Sequence, residues 1–196
     1  MFKVFLVISL LFLFLVQVYL SGNSQMHSQT DLDETYIQAI DWTDPSKHSL
    51  HEAGSPEEML MLMRLEQLFS QYTKSYFEIH FEEVYADELY FRDAFKQFNL
   101  RSDLYAYFIH GMESIASANF QFNHVMRSKN EYFIEWTMYL KFKDKDVTES
   151  SIGMSRFRFN AEGKVIFHQD YWDPTTIIYR KIPVVKQLIN FIQGKM

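Results

Sequence analysis

The 196-residue chain contains no cysteine, which excludes thiol nucleophiles, thiolate metal sites and disulfide staples. It has no basic stripe either: 19 Lys and Arg stand against 25 Asp and Glu, a formal net charge of −6. Phosphate backbones are bound by clustered cations, so no nucleic-acid partner is expected. Neither H-x-H nor H-E-x-x-H occurs, and His110, His124 and His168 fall on different expected elements, so no metal site is expected. G-x-S-x-G, Walker and dinucleotide fingerprints are absent, which leaves a covalent nucleophile and a nucleotide cofactor without support. No cofactor is expected. Aromatic residues, by contrast, are abundant: 19 Phe and 12 Tyr help to raise the aromatic fraction to 17%. That much large apolar surface implies one well-filled core, and the length suits a single main domain.

The N-terminus reads as a targeting segment. Lys3 precedes Val4–Val16, whose only polar member is Ser9, and Val18-Tyr19-Leu20 continues the run beyond Gln17. A cation followed by such a run is the pattern of a secretory signal, and its length is just short of the roughly twenty residues that span a bilayer. Residues 1–20 are expected to be a signal peptide or signal anchor, an N-terminal hydrophobic helix through which the chain meets a membrane. With Lys3 on one side and Asp31, Asp33 and Glu34 on the other, the domain is expected outside the cytosol. Residues 21–54 are polar, and eight acidic residues face one Lys between Asp31 and Glu58. This stretch reads as a mostly flexible acidic linker, with Tyr36–Trp42 as a short docking element.

The domain begins at Ser55-Pro56-Glu57-Glu58, an N-cap, a first-turn proline and first-turn acids. Helical spacing continues to about Tyr72 and again over Ser75–Tyr85. From Asp87 the period changes to two, with Leu89, Phe91 and Asp93 alternating with Glu88, Tyr90 and Arg92. A third helix is expected over Leu104–Ile115. Strands are expected over Asn119–Arg127, Glu131–Lys143, Val147–Phe159 and Lys164–Trp172, and a tail helix is expected to break at Pro183. Asn160-Ala-Glu-Gly163 is a strong hairpin signal. This order predicts an α+β domain over 55–196, its helices packed on one face of a curved antiparallel sheet that can leave a cone-shaped cavity.

His168, Asp170 and Trp172 share a strand face by alternation. About 7 Å separates residues two apart on a strand, too far for a direct His168–Asp170 bond unless the side chains converge; the pair is expected to flank a small ligand, with a buried polar network as the structural alternative. Trp172 supplies a flat wall. An apolar-inward choice on the expected strand Glu131–Lys143 brings Trp136 and Met138 to the interior and leaves Glu135 outside. Tyr90 and Tyr107 are candidate hydroxyl donors, or simply core aromatics with a polar tip.

Three segments resemble a known family. Tyr85-Ala-Asp-Glu-Leu-Tyr-Phe-Arg-Asp93 is similar to the first strand of the nuclear transport factor 2-like superfamily, which ends there in "F-x-D-P". Asn99-Leu-Arg-Ser-Asp-Leu-Tyr-Ala-Tyr-Phe108 resembles the helix that follows. Phe157–Asp173 resembles the "F-R-F-x-x-D-G-K-I-x-x-H-x-D-Y-W-D" ending of a SnoaL-like subfamily, with Tyr179-Arg-Lys-Ile-Pro183 near its tail motif. Ala94 and Leu100 stand where the pattern has proline and glycine. The resemblance implies a ketosteroid isomerase-like cone over about Ser55–Met196, with Asp93 in the position of a general base; capping a turn is that residue's structural alternative. Two functional classes follow. One is cofactor-free acid–base chemistry, of isomerase or hydratase type, on a small apolar molecule, carried by Asp93, His168 and Asp170. The other is a non-catalytic module that binds a ligand or partner at a membrane surface, with the outer sheet face offered to a second copy as a homodimer.

Overall fold

The computed structural model describes residues 29–195, and the apolar segment expected at residues 1–20 lies outside them. Among the described residues no helix is long and apolar enough to cross a membrane. The chain divides into two units at Gln38, inside a first helix, α1, of Gln29–Trp42. The described part of the N-terminal unit is the start of α1, where the Thr35 hydroxyl donates to the Asp31 carbonyl at 2.8 Å.

In the second unit, α2 (Pro56–Ser70) and α3 (Lys74–Val84) lead into β1 (Tyr85–Arg92), β2 (Gln97–Leu100) and α4 (Arg101–Met112). Four long strands follow: β3 (Ile115–Ser128), β4 (Glu131–Phe142), β5 (Thr148–Phe159) and β6 (Val165–Trp172). A 3-10 turn, Tyr179–Lys181, precedes a last helix, α5 (Pro183–Gln193). The six strands form one curved, unclosed sheet in the order β2-β1-β6-β5-β4-β3, an α+β arrangement. All pairings are antiparallel except β1 with β6.

Local signals explain most boundaries. Ser55 Oγ accepts the Glu58 amide at 3.2 Å and Thr73 Oγ1 accepts that of Tyr76 at 3.4 Å, so both helices start on hydroxyl caps. Gly163 sits at φ +74°, and Asn160 Oδ1 accepts the amides of Glu162 and Lys164, closing the β5–β6 hairpin. Strand β4 alternates strictly, Tyr132, Ile134, Trp136, Met138 and Leu140 being buried. With Leu65, Phe77, Phe81, Phe91, Leu104 and Phe157 these residues fill the space between helices and sheet.

Four expectations change. Pro183 opens α5 instead of breaking a helix, because proline at a first helical position loses only an amide that has no partner there anyway. The edge strand β2 was not expected; it is four residues long, too short for alternation to register. Helix α4 begins at Arg101, three residues early, on Leu100 with no side-chain cap. The stretch expected to be flexible holds α1 and a tethered loop. Arg158 Nη1 donates to the Ile40 carbonyl at 2.9 Å and to Thr43 Oγ1 at 3.0 Å. Arg127 Nη2 donates to the His51 carbonyl at 3.1 Å, and Asn130 Nδ2 to that of Pro45 at 3.2 Å. The residues that order this loop lie some 80 to 120 positions away, out of reach of a local reading.

Candidate functional site

The site is built where β6 runs alongside β1. Parallel pairing sets Phe91 beside His168, and antiparallel pairing sets Ser155 opposite Asp170. Both β6 residues face the helices, so a histidine and an aspartate enter the interior on one strand face.

His168 is about 1% exposed. Its ring lies over Phe157 at 4.2 Å between centroids and takes the edges of Phe91 and Phe69 at 5.0 and 5.9 Å. Nε2 lies 2.7 Å from Asp170 Oδ1, and Nδ1 lies 2.8 Å from the Tyr85 hydroxyl. The carboxylate oxygen is an acceptor, so Nε2–H donates to it and Nδ1 accepts from Tyr85. Burial, then the Asp170 charge, pushes the Tyr85 hydroxyl well above its ordinary pKa, which keeps it a donor. The convergence that a direct His168–Asp170 bond requires is therefore present, and the two belong to a buried polar network. Side chains lean along the strand, and the imidazole's reach closes the backbone gap.

Asp170 Oδ1 also accepts from Ser155 Oγ, which in turn accepts from Trp136 Nε1 at 2.8 Å. The chain of donors thus runs from Trp136 through Ser155 and from Tyr85 through His168, both ending on one carboxylate oxygen. Oδ2 of Asp170 takes no hydrogen bond among the described residues, and the side chain is 17% exposed. Both nitrogens of His168 are committed, Nε2 to Asp170 and Nδ1 to Tyr85.

Asp93 follows the last residue of β1 and caps the turn there. Its Oδ1 accepts the amides of Phe95 and Lys96 at 2.8 and 2.7 Å, and its Oδ2 accepts the Tyr107 hydroxyl from α4 at 2.6 Å. Desolvation raises its pKa, those three hydrogen bonds oppose the rise, and the nearby Asp170 charge adds to it; the net shift is upward. Of the two alternatives for Asp93, the turn cap is what the hydrogen bonds show, with the Asp170 charge also felt at its carboxyl. Burial and the Asp93 charge hold the Tyr107 hydroxyl far above the ordinary tyrosine range.

Tyr72 completes the group and was missed in the sequence. It follows α2 in the loop to α3, and its ring packs against Phe77 and Phe120 at 5.0 and 5.5 Å. Its hydroxyl is shifted upward by desolvation, then by the charges of Asp170 and Asp93, so it lies within electrostatic reach of both. Ser155 and Tyr85 were also missed. Strand pairing would have found Ser155, two residues before Phe157 on the face that pairs with β6.

The other candidates divide by sheet face. Trp136 and Met138 are buried inward with Leu140 and Ile177, and Trp172 is half-buried at the rim against Phe95 at 5.7 Å. Tyr90 points the other way. It pairs in register with Phe167, stacks on it at 5.0 Å and donates to Gln97 at 3.1 Å, on the face opposite His168. It does not line the site; alternation with Phe91 forbids it. Glu135 is on the outer face, 3.4 Å from His124. Among the described residues no group of His, Asp and Glu is arranged to hold a metal ion.

Solved structures of similar fold include an NTF2-like protein of unknown function from Exiguobacterium, at 16% identity and TM-score 0.51, covering 58% of this chain and 98% of that one. A putative SnoaL-like polyketide cyclase from Jannaschia matches at 12% identity and TM-score 0.53 over 65% of this chain and 94% of its own. A hypothetical protein with a ketosteroid isomerase-like fold from Catenulispora acidiphila, in complex with trimethylamine, matches at 12% and 0.52 over 63% and 90%. These likenesses establish the NTF2-like fold and nothing finer. No curated protein matches the sequence. Residues 62–168, which carry Tyr72, Tyr85, Asp93, Tyr107 and His168, match the family described as "Uncharacterized conserved protein (DUF2358)", and the chain belongs to that NTF2-like family.

Proposed function

We propose that the chain performs cofactor-free acid–base chemistry, of isomerase or hydratase type, on a small apolar molecule held between helices and sheet in a cone-like enclosure. The observation that carries this reading is Asp170 held by His168 and Ser155 against a wall of aromatic rings with its Oδ2 uncommitted, its charge and that of Asp93 both reaching the Tyr72 hydroxyl. Asp170 Oδ2 is the base, taking a proton from carbon beside a carbonyl. Tyr72 donates a hydrogen bond to the oxygen on which charge develops. The same Asp170 Oδ2 then returns the proton to the substrate, while Asp93, both oxygens of which accept hydrogen bonds, holds the Tyr107 hydroxyl and the turn beside the site. His168 and Ser155 are positioning residues, since each touches Asp170 and neither is free to touch a substrate. Delivery by the N-terminal segment would put this activity outside the cytosol, at or near a membrane.

The test is deuterium exchange at the carbon beside the carbonyl of small cyclic ketones in D2O, followed by NMR with the full chain. Exchange above the buffer rate that disappears in Asp170→Asn and weakens in Tyr72→Phe supports the reading. Exchange no faster than buffer across the panel, or indifferent to Asp170→Asn in a protein with unchanged circular dichroism, overturns it.

The second reading is a non-catalytic binding module. It is favoured by the outer sheet face, where Tyr139, Ile152, Met154 and Tyr171 are exposed together on β4, β5 and β6, a surface suited to a second copy.

A further inference from the structure

Helix α5 is amphipathic to a degree that the rest of the fold does not use. Its residues Val184, Val185, Leu188, Ile189, Phe191 and Ile192 recur at helical spacing, while Lys186, Gln187, Asn190 and Gln193 fall opposite them. An amphipathic helix normally buries its apolar stripe, yet Val184 is 76% exposed, Phe191 62% and Leu188 58%. The helix packs chiefly on the turn before it, where Arg180 Nη2 donates to Gln193 Oε1 at 2.5 Å.

The charge around the stripe indicates what covers it. The whole chain is acidic, with a net charge of −6, but from Pro174 onward it carries Arg180, Lys181, Lys186 and Lys195 and no acidic residue. Lys181 pairs with Glu149 of β5; Arg180, Lys186 and Lys195 have no ion pair among the described residues. At the foot of the helix a cleft of about 440 Å³ is walled by Phe142, Ile177 and Ile178 and edged by Lys143 and Lys145, with Asp144 its only acid. An exposed apolar stripe bordered by cations matches the boundary between anionic headgroups and acyl chains. A second copy of the helix would bring like charges together.

We propose that α5 lies in the interface of an anionic lipid bilayer, its stripe of Val184, Leu188, Phe191 and Ile192 among the acyl chains and its cations among the headgroups. This holds the domain to the bilayer through its C-terminal end, independently of the apolar N-terminal run and of the chemistry proposed above.

Because the chain has no cysteine, a single thiol can report on one position of the full-length protein. Leu188→Cys on the stripe and Asn190→Cys on the polar face are each labelled with an environment-sensitive fluorophore. They are mixed with phosphatidylcholine vesicles, with or without about 30 mol% phosphatidylserine. The proposal expects a blue shift and shielding from aqueous quencher at position 188 and not at 190. It also expects apparent affinity roughly tenfold or more higher on the anionic vesicles, with the difference shrinking in high salt. The readout is position-specific, so insertion of another segment does not mimic it. No shift at 188, equal shifts at both positions, or equal response to both vesicle types overturns the proposal. So does a shift without vesicles that grows with protein concentration, which would identify a second copy as the occupant.

Discussion

Gly153 is the most exacting position for a single added methyl group. It lies on β5 opposite Trp136 in the β4–β5 register, and the Trp136 indole rests across it. A Cβ built there would stand 2.3 Å from Trp136 Cη2 and 2.4 Å from Cζ2. In an ordinary strand interior Gly→Ala stabilises, by roughly 0.5–1 kcal/mol, because alanine has less backbone freedom to lose. Here the sign reverses. Trp136 is about 4% exposed, so the ring cannot swing into solvent without leaving the core. Overpacking of this kind costs about 1–3 kcal/mol, and loss of the Trp136–Ser155 hydrogen bond adds about 1 kcal/mol. Net of the backbone gain, Gly153→Ala should destabilise by roughly 1.5–3 kcal/mol. For a chain of this length that is a fall of roughly 3–12 °C in Tm.

Thermal unfolding followed by circular dichroism measures that fall, and a double-mutant cycle identifies its origin. In a Trp136→Phe background the smaller ring leaves room, and Gly153→Ala should become neutral or stabilising, a coupling of about 2 kcal/mol. A Tm increase in the single variant, or an equal penalty in both backgrounds, would refute the reasoning. The cycle also bears on the site. Ser155 Oγ holds Trp136 on one side and Asp170 on the other, so displacement of the indole should loosen the carboxylate.

Three further outcomes are expected. Desolvation pushes the Glu58 pKa up, but the Tyr132 hydroxyl, the Gly54 amide and Arg127 outweigh it and leave it lowered. Its stabilisation is therefore present above the ordinary carboxylate pKa and lost as pH falls through the lowered folded-state value; urea midpoints measured from neutral to about pH 3 should show that loss flattened in Glu58→Gln. Asp93 has the opposite sign: its folded pKa is raised above 3.8, so stability declines as pH rises from that value through the raised one, and Asp93→Asn should remove the decline from the same titration. Tyr85→Phe leaves His168 Nδ1 buried without its partner and should cost about 1–3 kcal/mol in chemical denaturation.

Much of the fold was legible because its signals are local. The Ser55 cap, the alternation of β4 and the Asn160–Gly163 turn each depend on residues a few positions apart, and each stands where the pattern placed it. What failed was non-local. The loop from Thr43 to Gly54 looks like a linker in composition, and its order comes from Arg127, Asn130 and Arg158 across the fold. The pairing of β1 with β6 is likewise invisible to periodicity, since it joins segments about 80 residues apart in parallel register. That pairing brings Tyr85 to His168.

For the site, the strand period was more informative than the residue types it was read alongside. Alternation already placed His168, Asp170 and Trp172 together and put Tyr90 on the face opposite Phe91 and Asp93. Tyr90 was a candidate because it carries a hydroxyl, and geometry overruled that chemistry. His168 shows the converse. Its type suggested a free acid or base, but burial among Phe69, Phe91 and Phe157 requires every polar atom it brings inside to be bonded. Tyr85 and Asp170 meet that requirement, and in doing so they fix a carboxylate whose second oxygen takes no hydrogen bond among the described residues. Burial that immobilises the histidine is thus what aims the aspartate. A variant that frees His168, such as Tyr85→Phe, should therefore disturb Asp170 before it exposes any new reactive group.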